Sequence, residues 1–411
     1  MVPGRGVAII GAGMTRFHHK LHLEKTSREL FVDAALEAED SVDKDFSLLE
    51  SDALFLGNFS SDIFERQTHT AALMTDWLGL TPIPAYRVED ACASSGVAIN
   101  LAAMAISSGM MDVVLVGGVE KMRTLGTGEI TDALAYAADE AYEVSVGFTF
   151  PGLYASMASS HFKIYGSSWN ELAYISIKNH KNGKLNPKAQ YQSSVMDTAM
   201  RLGEREGVAF NDEMDFLLSK FNPYISHPLR LFDCCPTSDG AAAVILTSGE
   251  LAKKYTDTPV YLDGFGQASD TLALHDRVSL TSMRASNVAA KKAYEMADTS
   301  SSEIDVSEVH DCFTIAELIA TEDLGFVEEG MGGNAAVEGR TSIDGDIPVN
   351  PDGGLKAKGH PVGATGAGMV YELFKQLRGE ASSHQVADAE IGLVHNVGAA
   401  GATVSVQIYR R

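Results

Sequence analysis

Short, continuous apolar runs along the chain predict a set of buried strands. Residues 6–15 (GVAIIGAGMT) and 113–118 (VVLVGG) are runs of this kind. An unbroken apolar run is typical of a strand that is covered on both faces, as in a parallel sheet. We therefore expect both segments to be interior strands of a layered α/β protein.

The same strand pattern occurs twice, which indicates an internal duplication. Residues 6–15 and 259–269 both begin as an apolar strand that runs into glycines. Residues 239–248 and 400–410 both read as a small-residue turn followed by a strand. A coarse repeat of α/β units explains both correspondences.

Two helices repeat as well. Residues 91–109 and 361–379 are each 19 residues long, run from a small-residue turn into a helix, and stop at glycine. The first is apolar almost all round over 97–106, which predicts burial on every side. We expect such helices to lie between two sheets.

The length of 411 residues exceeds what one hydrophobic core usually supports. We predict an N-terminal unit over 1–257 and a C-terminal unit over 258–411. Residues from about 120 to 237 have looser patterning and more aromatics, and we interpret them as a loop domain inserted in the first unit.

Charge narrows the possible partners. The net charge is −23, from 32 basic and 55 acidic residues, which disfavours nucleic acid and anionic membranes. An anionic substrate then needs a local basic patch, and residues 177–190 (IKNHKNGKLNPKAQ) are the candidate. A solvated charged face is the alternative interpretation of the same cluster.

The cysteines argue for a reducing compartment. The chain has four: Cys92, Cys234, Cys235 and Cys312. They form neither a disulfide framework nor a CxxC zinc pair. Residues 1–15 lack the apolar core of a signal peptide, and polar residues interrupt the most apolar stretch, 96–118. We expect a cytoplasmic protein, with Cys234 and Cys235 structural or lining a pocket.

Cys92, in EDACASSG, is the first candidate for chemistry. It lies at a strand-to-helix turn among small residues, where a helix N-terminus favours the thiolate and lowers its pKa. A buried structural cysteine is the alternative.

His360 lies between Gly359 and Pro361 in KAKGHPVGATGAG, which holds an imidazole rigidly. It is the natural base for a cysteine nucleophile, although a lone histidine is more often a satisfied core group.

Two further stretches add polar groups. In LVHNVGAAGATV, Gly398 is a candidate to offer a backbone N–H to an oxyanion. In SEVHDCFTIAEL, His310 and Cys312 are a catalytic pair, part of a metal site, or residues that only fill a packed core. A metal would need His395 and Cys92 as further ligands, and no ligand spacing supports that.

In chain order, these motifs resemble those of the thiolase family over nearly the full length. The shared motifs are EDACASSG, GGVEKM (117–122), SDGAAAVIL, GHPVGATG and the glycine-rich end. More narrowly, HDCF at 310–313, FPGLYASMA at 150–158 and HNVG at 395–398 resemble sterol-carrier-protein-type and archaeal acetoacetyl-CoA thiolases. The resemblance implies a five-layer αβαβα fold built from two duplicated α/β units, with an inserted loop domain.

The resemblance also implies roles at the site. Cys92 would carry the acyl group and His360 would activate it. His310 would replace the asparagine of the usual Asn-Glu-Ala-Phe motif and form one oxyanion hole with His360, while the N–H groups of Cys92 and Gly398 form the other. Asn396 stands where a second catalytic cysteine usually lies, so Cys312 would be the relocated acid/base thiol.

The implied reaction is the Claisen condensation of two acetyl-CoA molecules and its reverse, with coenzyme A as substrate and no metal or redox cofactor. The implied partners are further copies of the chain, as a dimer or tetramer, and 3-hydroxy-3-methylglutaryl-CoA synthase with a small acyl-CoA-binding bridging protein. The weaker candidates for substrate contact are Tyr154, Met157, Phe313, Lys178, Lys181 and Lys184.

Four alternatives stay open at this point. A degradative thiolase for longer 3-oxoacyl-CoA would use the same residues. A ketosynthase would have two histidines and one cysteine, a lipid-transfer-type aldolase would lack Cys92, and a non-catalytic acyl-CoA carrier would not need the four residues together.

Overall fold

The computed structural model describes residues 4–411, so residues 1–3 of the predicted unit 1–257 lie outside the described part. Its strands are β1 (Val7–Met14), β2 (Ala53–Gly57), β3 (Ala85–Val88), β4 (Val113–Glu120), β5 (Tyr224–Ser226), β6 (Leu229–Arg230), β7 (Gly240–Ser248), β8 (Val260–Ser269), β9 (Val306–Val309), β10 (Ile391–Gly398) and β11 (Thr403–Arg410).

The α-helices of the described residues are α1 (Ser27–Asp40), α2 (Ser61–Phe64), α3 (Thr70–Trp77), α4 (Ser94–Ser107), α5 (Thr127–Ala135), α6 (Phe150–Tyr165), α7 (Trp169–Leu185), α8 (Val195–Glu206), α9 (Glu213–Leu218), α10 (Ala252–Tyr255), α11 (Arg284–Ala297), α12 (Thr314–Asp323), α13 (Gly332–Val337), α14 (Gly354–Ala357) and α15 (Thr365–Arg378). None of these helices has the length and apolar content needed to cross a membrane.

Nine strands form one mixed sheet in the order β3–β2–β4–β7–β1–β8–β11–β10–β9. One expectation is wrong here. The apolar strand β4 is parallel only to β2 and is antiparallel to β7. The two expected sheets are joined, because β1 and β8 pair over two residues, Ala8 with Tyr261 and Ile9 with Val260. That pairing satisfies two strands that would otherwise be edges.

The predicted duplication appears in the strand order. From the centre outwards, β1–β7–β4–β2–β3 in one half corresponds to β8–β11–β10–β9 in the other, with the same parallel and antiparallel pairings. The counterpart of β3 is a single parallel bridge between Ser307 and Val349. The chain therefore uses one topology twice.

Helices α4 and α15 are the central layer. Each packs against strands of both halves and against the other, while α1 covers one outer face and α11 the opposite face. Both central helices are as predicted, and nearly all of α15 is buried. They approach so closely that a Cβ on Gly366 would lie 2.4 Å from the backbone nitrogen of Gly96. The arrangement is the expected five-layer αβαβα fold.

Between β4 and β7 the chain forms α5 to α9 and the two-stranded β5–β6 hairpin. Helix α7 of this segment packs on α12, α13 and α14, which belong to the C-terminal half. The segment therefore covers the side of the fold at which the HDCF and GHP turns lie. The boundaries of the predicted units and inserted domain stay predictions.

Candidate active site

A cavity of about 270 Å³ with mostly apolar walls lies where the two halves and the inserted segment meet. All four cysteines line it, as do Tyr154, Phe313 and His360. The four are free thiols. Turns that are distant in the chain thus place three predicted catalytic side chains, Cys92, Cys312 and His360, on one cavity.

Cys92 lies in a tight turn just before α4. Ala91 has a left-handed φ of 50°, which is uncommon outside glycine and suggests a locally constrained backbone. Ser94 pins the turn, because its hydroxyl accepts from Asp90 N–H at 3.0 Å and donates to Ala91 O at 2.6 Å. The turn presents the sulfur to the cavity.

The expected lowering of the Cys92 pKa is wrong. Burial raises the pKa of this thiol to about 12, and the nearby carboxylate of Glu120 acts in the same direction. A backbone hydrogen bond from Ala399 opposes the rise without reversing it. The first helical residue is Ser94, two positions later, so the apolar surroundings outweigh the helix N-terminus. The Cys92 thiol is therefore neutral at rest.

His360 is held as a neutral base. Thr365 Oγ1 donates to Pro361 O at 3.0 Å, so it accepts from His360 Nδ1 at 2.7 Å. The proton is therefore on Nδ1, which leaves a lone pair on Nε2. Burial lowers the pKa of His360 to about 3, with a smaller contribution from Lys358.

His310 has the opposite tautomer. Asn396 Nδ2 lies 3.0 Å from Cys92 O, an atom that only accepts, and 3.2 Å from His310 Nδ1. His310 Nδ1 therefore accepts from the amide, and Nε2 carries the proton. Nε2 is buried and has no hydrogen-bond partner within residues 4–411. Burial, followed by the repulsion that a second imidazolium beside His360 would meet, lowers the pKa of His310 well below its ordinary value.

Cys92, His310 and His360 form a compact group. The Cys92 sulfur and one ring nitrogen of each histidine lie within 4.8 Å of one another. The two rings meet edge to face, with centroids 5.1 Å apart. His395, the other candidate ligand, is directed elsewhere, since its Nε2 bonds to Ser286 Oγ at 2.8 Å.

Cys312 lies on the cavity wall beside Tyr154. Its carbonyl accepts from Cys235 N–H at 2.9 Å, and the Tyr154 ring stacks on Phe313 with centroids 4.6 Å apart. Burial raises the pKa of the Cys312 thiol well above its ordinary value, and a hydrogen bond with Tyr154 works in the opposite direction. This thiol is also neutral at rest.

Glu120 is a site residue that the sequence did not single out. Its Oε2 accepts from Phe59 N–H at 2.8 Å and Gly363 N–H at 3.1 Å. Its Oε1 accepts from Ser60 N–H at 3.1 Å and Asn58 Nδ2 at 3.2 Å. Burial raises its pKa to about 7, against the effect of these donors. A charged residue at the end of an apolar strand was the available signal.

The lysines predicted to contact the substrate are mostly engaged elsewhere. Lys178 is buried and paired with Glu317 at 2.6 Å, so its place in the basic patch is wrong. Lys184 pairs with Asp197 at 2.6 Å on the surface, and Lys181 is exposed. Lys181 and Lys184 fit the solvated-face interpretation, but eight of the fourteen residues of 177–190 are buried, so that interpretation holds for only part of the cluster.

Two other assignments change. Met157 is buried in the main core and is absent from the cavity wall, whereas Tyr154, three residues earlier, lines it. The backbone group against the Cys92 sulfur belongs to Ala399 and not to Gly398. Gly398 instead permits close approach, because a Cβ there would lie 2.5 Å from Asp90 O.

Comparisons with known proteins agree with this architecture. The family model "Thiolase, N-terminal domain" matches residues 7–250, and "Thiolase C-terminal domain-like" matches residues 266–411. The acetyl-CoA acetyltransferase of Methanothermobacter thermautotrophicus is 45% identical, over 99% of this chain and 100% of that protein. Sterol carrier protein 2 of Bos taurus is 32% identical, over 98% of this chain and 72% of its own length.

A solved structure shares the fold. The Ltp2-ChsH2(DUF35) aldolase superimposes with a TM-score of 0.81 at 23% identity, covering 100% of this chain and 99% of that one. At this identity the similarity shows the fold alone.

Proposed function

This chain belongs to the thiolase family of enzymes, and from that premise we propose that it is an acetyl-CoA C-acetyltransferase. It would condense two acetyl-CoA molecules to acetoacetyl-CoA and free coenzyme A, and run the reverse thiolysis. The observation that carries the proposal is the group formed by Cys92, His310 and His360 within 4.8 Å, with Cys312 on the same cavity.

The first step is acylation of Cys92. His360 Nε2, which bears a lone pair, takes the thiol proton as the sulfur attacks the thioester carbonyl. The N–H groups of Ala399 and Cys92 stabilise the oxyanion. The departing coenzyme A thiolate then takes the Cys312 proton, which leaves acetyl-Cys92, a protonated His360 and a Cys312 thiolate.

The second step is condensation. The Cys312 thiolate removes a methyl proton from the second acetyl-CoA. The enolate oxygen accepts from His310 Nε2–H and from His360 Nε2–H. The enolate carbon attacks acetyl-Cys92, acetoacetyl-CoA leaves, and the Cys92 thiolate recovers its proton from His360. The protons balance, since Cys312 ends the cycle protonated.

Cleavage of longer 3-oxoacyl-CoA is the second candidate. The wall beside Cys92 includes an apolar cluster with Phe59, Met122, Leu134 and Val362. Such a wall would accept an alkyl chain longer than acetyl. Comparing kcat/KM for acetoacetyl-CoA and a long-chain 3-oxoacyl-CoA distinguishes the two candidates.

We extend the proposal to partners and location. The two cysteines and two histidines, together with the backbone N–H groups of Cys92 and Ala399, supply every acid, base and donor that the proposed steps require, so the proposal includes no metal or redox cofactor. A homodimer or homotetramer, and a complex with 3-hydroxy-3-methylglutaryl-CoA synthase through an acyl-CoA-binding bridging protein, are proposed from the family resemblance. Four free thiols favour a reducing cytoplasm.

The proposed function is tested by detecting covalent acetylation of Cys92. Wild-type protein mixed with acetyl-CoA should gain one acetyl group on Cys92 by peptide mass spectrometry, and Cys92→Ala should gain none. Cys234→Ala, which removes another cavity thiol, is the matched control and should acetylate like wild type. An adduct on Cys234 or Cys235, or no adduct at all, refutes the assignment.

A further inference from the structure

We propose that Asn396 is a positioning residue that fixes His310 in the Nε2–H tautomer, and thereby prevents Cys92, His310 and His360 from capturing a soft metal ion such as Zn²⁺. The catalytic consequence rests on the proposed function. The tautomer and the metal consequence do not.

The orientation of the Asn396 amide follows from its neighbours. Its Nδ2 lies 3.0 Å from Cys92 O, and a carbonyl oxygen has no hydrogen to donate. The other Nδ2 hydrogen is directed at His310 Nδ1, at 3.2 Å. A reversed amide would place its oxygen against the Cys92 carbonyl, so one orientation is strongly preferred.

Asn396 is also clamped in place. A Cβ on Gly96 of α4 would lie 2.6 Å from Asn396 Oδ1, and a Cβ on Gly366 of α15 would lie 2.4 Å from the same atom. The side chain therefore fills the point at which the two central helices approach each other. The packing that joins the two halves of the fold is thus the packing that orients His310.

The side chains of Cys92, His310 and His360 together have the composition of a zinc site. Their ligand atoms lie within 4.8 Å of one another. Ligands at about 2.0–2.3 Å from one Zn²⁺ need only modest side-chain shifts from that spacing. His360 is prepared to bind, because Thr365 holds its Nδ1–H and leaves Nε2 with a lone pair.

His310 is the ligand that Asn396 blocks. Its Nε2 carries a proton, and its Nδ1 already accepts from the amide. Metal binding through Nε2 would move the proton to Nδ1, where it would face the Nδ2 hydrogen of Asn396. Binding through Nδ1 would displace the amide. Either route costs a buried hydrogen bond, and the Nε2 route also sets two donors against each other.

Replacing the amide by a carboxylate reverses this preference. In Asn396→Asp, an oxygen replaces Nδ2, so the hydrogen bond to Cys92 O is lost and an acceptor faces His310 Nδ1. The His310 proton then moves to Nδ1, and Nε2 gains a lone pair. A carboxylate behind a histidine is the usual arrangement in zinc sites. The variant should therefore gain zinc affinity while it loses the oxyanion donor.

The experiment uses the full-length protein stripped with EDTA, incubated with ZnSO₄ and desalted. We expect no retained zinc in wild type and one ion per chain in Asn396→Asp, lost again when Cys92 is also changed to serine. After EDTA treatment, condensation by Asn396→Asp should fall by about 10²–10³, the worth of one oxyanion donor. Acetylation of Cys92 should persist.

The matched control is Asn100→Asp. Asn100 is a buried amide of α4 that bonds to Ser405 and Gln407, away from the cavity. It should retain no zinc. Since a buried carboxylate can prevent folding, Asn396→Leu provides a second variant, which frees the tautomer without adding charge and should also gain zinc.

Wild-type protein decides the matter if both variants misfold. The ¹⁵N shifts of the His310 ring, assigned with His310→Gln, should show a protonated Nε2 and an unprotonated Nδ1. A protonated Nδ1, stoichiometric zinc in wild type, or folded Asn396 variants that retain no zinc would each overturn the inference. If wild type lacks thiolase turnover but has the Nε2–H tautomer, the proposed function fails and this inference stands.

Discussion

Thr365 tests whether the tautomer of His360 controls acylation. Its hydroxyl accepts from His360 Nδ1 at 2.7 Å and donates to Pro361 O at 3.0 Å. Thr365→Val keeps nearly the same shape and removes both bonds. His360 then has a buried Nδ1–H with no acceptor, and it relieves this by moving the proton to Nε2.

The magnitude follows from that unpaired group. A buried N–H without a partner costs about 1–3 kcal/mol. Only the Nδ1–H tautomer of His360 has a lone pair on Nε2 for the Cys92 thiol. In the variant, returning to that tautomer costs the same free energy, which adds to the barrier for acylation. Cys92 acetylation should therefore slow by about 5- to 150-fold, since 1.36 kcal/mol corresponds to a factor of ten.

The assay is rapid quench with acetyl-CoA, followed by mass measurement of acetyl-Cys92. Thr365→Ser retains the hydroxyl and should acetylate near the wild-type rate. Thr321→Val is the matched control, because Thr321 also donates to a backbone carbonyl in a buried helix, at 2.7 Å from Leu318 O, away from the cavity. Acetylation of Thr365→Val at the wild-type rate, or an equal loss in Thr365→Ser, would refute the reasoning.

Four further predictions use the same protein. His360→Ala should slow Cys92 acetylation by about 10²–10⁴ and leave the circular dichroism spectrum unchanged; unchanged acetylation makes the histidine structural. Cys312→Ala should still form acetyl-Cys92, while condensation and thiolysis both collapse, and normal condensation in a turnover assay would remove the acid/base role. Glu120→Gln turns an NH₂ group toward the two buried donors of one carboxylate oxygen, such as Phe59 N–H and Gly363 N–H on Oε2. Urea unfolding should therefore show a loss of about 2–6 kcal/mol, and an unchanged midpoint would contradict it. Burial raises the pKa of Asp323 to about 7, so this group binds a proton more tightly in the folded state and its contribution to stability falls as pH rises from 4 to 7. Asp323→Asn should therefore flatten the pH dependence of the unfolding free energy over that range. An unchanged slope would show that Asp323 is not its source.

Local patterns predicted most of the fold because a fully buried strand or helix consists of consecutive apolar residues, which are visible in the sequence. The apolar run 113–118 lies in β4, and the small-residue turns lie at the starts of α4 and α15. The β1–β8 contact was beyond such patterns, because it joins residues about 250 positions apart through only two pairs. The antiparallel neighbour of β4 was missed for the same reason, since the order of strands is a property of the assembled sheet.

The site residues likewise divide into those that local sequence predicted and those that depend on contacts between distant parts of the chain. Cys92 and His360 could be predicted because small residues and glycines surround them in the sequence, and both side chains line the cavity. Lys178 was misassigned because its partner Glu317 comes from a distant helix, and a buried ion pair has no local signature. The hydrogen bonds that set the tautomers, through Thr365 and Asn396, likewise depend on geometry.

The two pKa shifts at the site have one consequence for its reactivity. The thiol of Cys92, with its pKa near 12, and the imidazole of His360, with its pKa near 3, are both neutral, so no ion pair forms at rest. In the proposed mechanism, proton transfer becomes favourable only when a bound thioester places its developing oxyanion against the N–H donors. A neutral alkylating agent offers no such oxyanion and meets a thiol that ionises poorly. Cys92 should therefore react slowly with iodoacetamide at neutral pH and rapidly with acetyl-CoA, and this contrast is what a substrate-activated nucleophile requires.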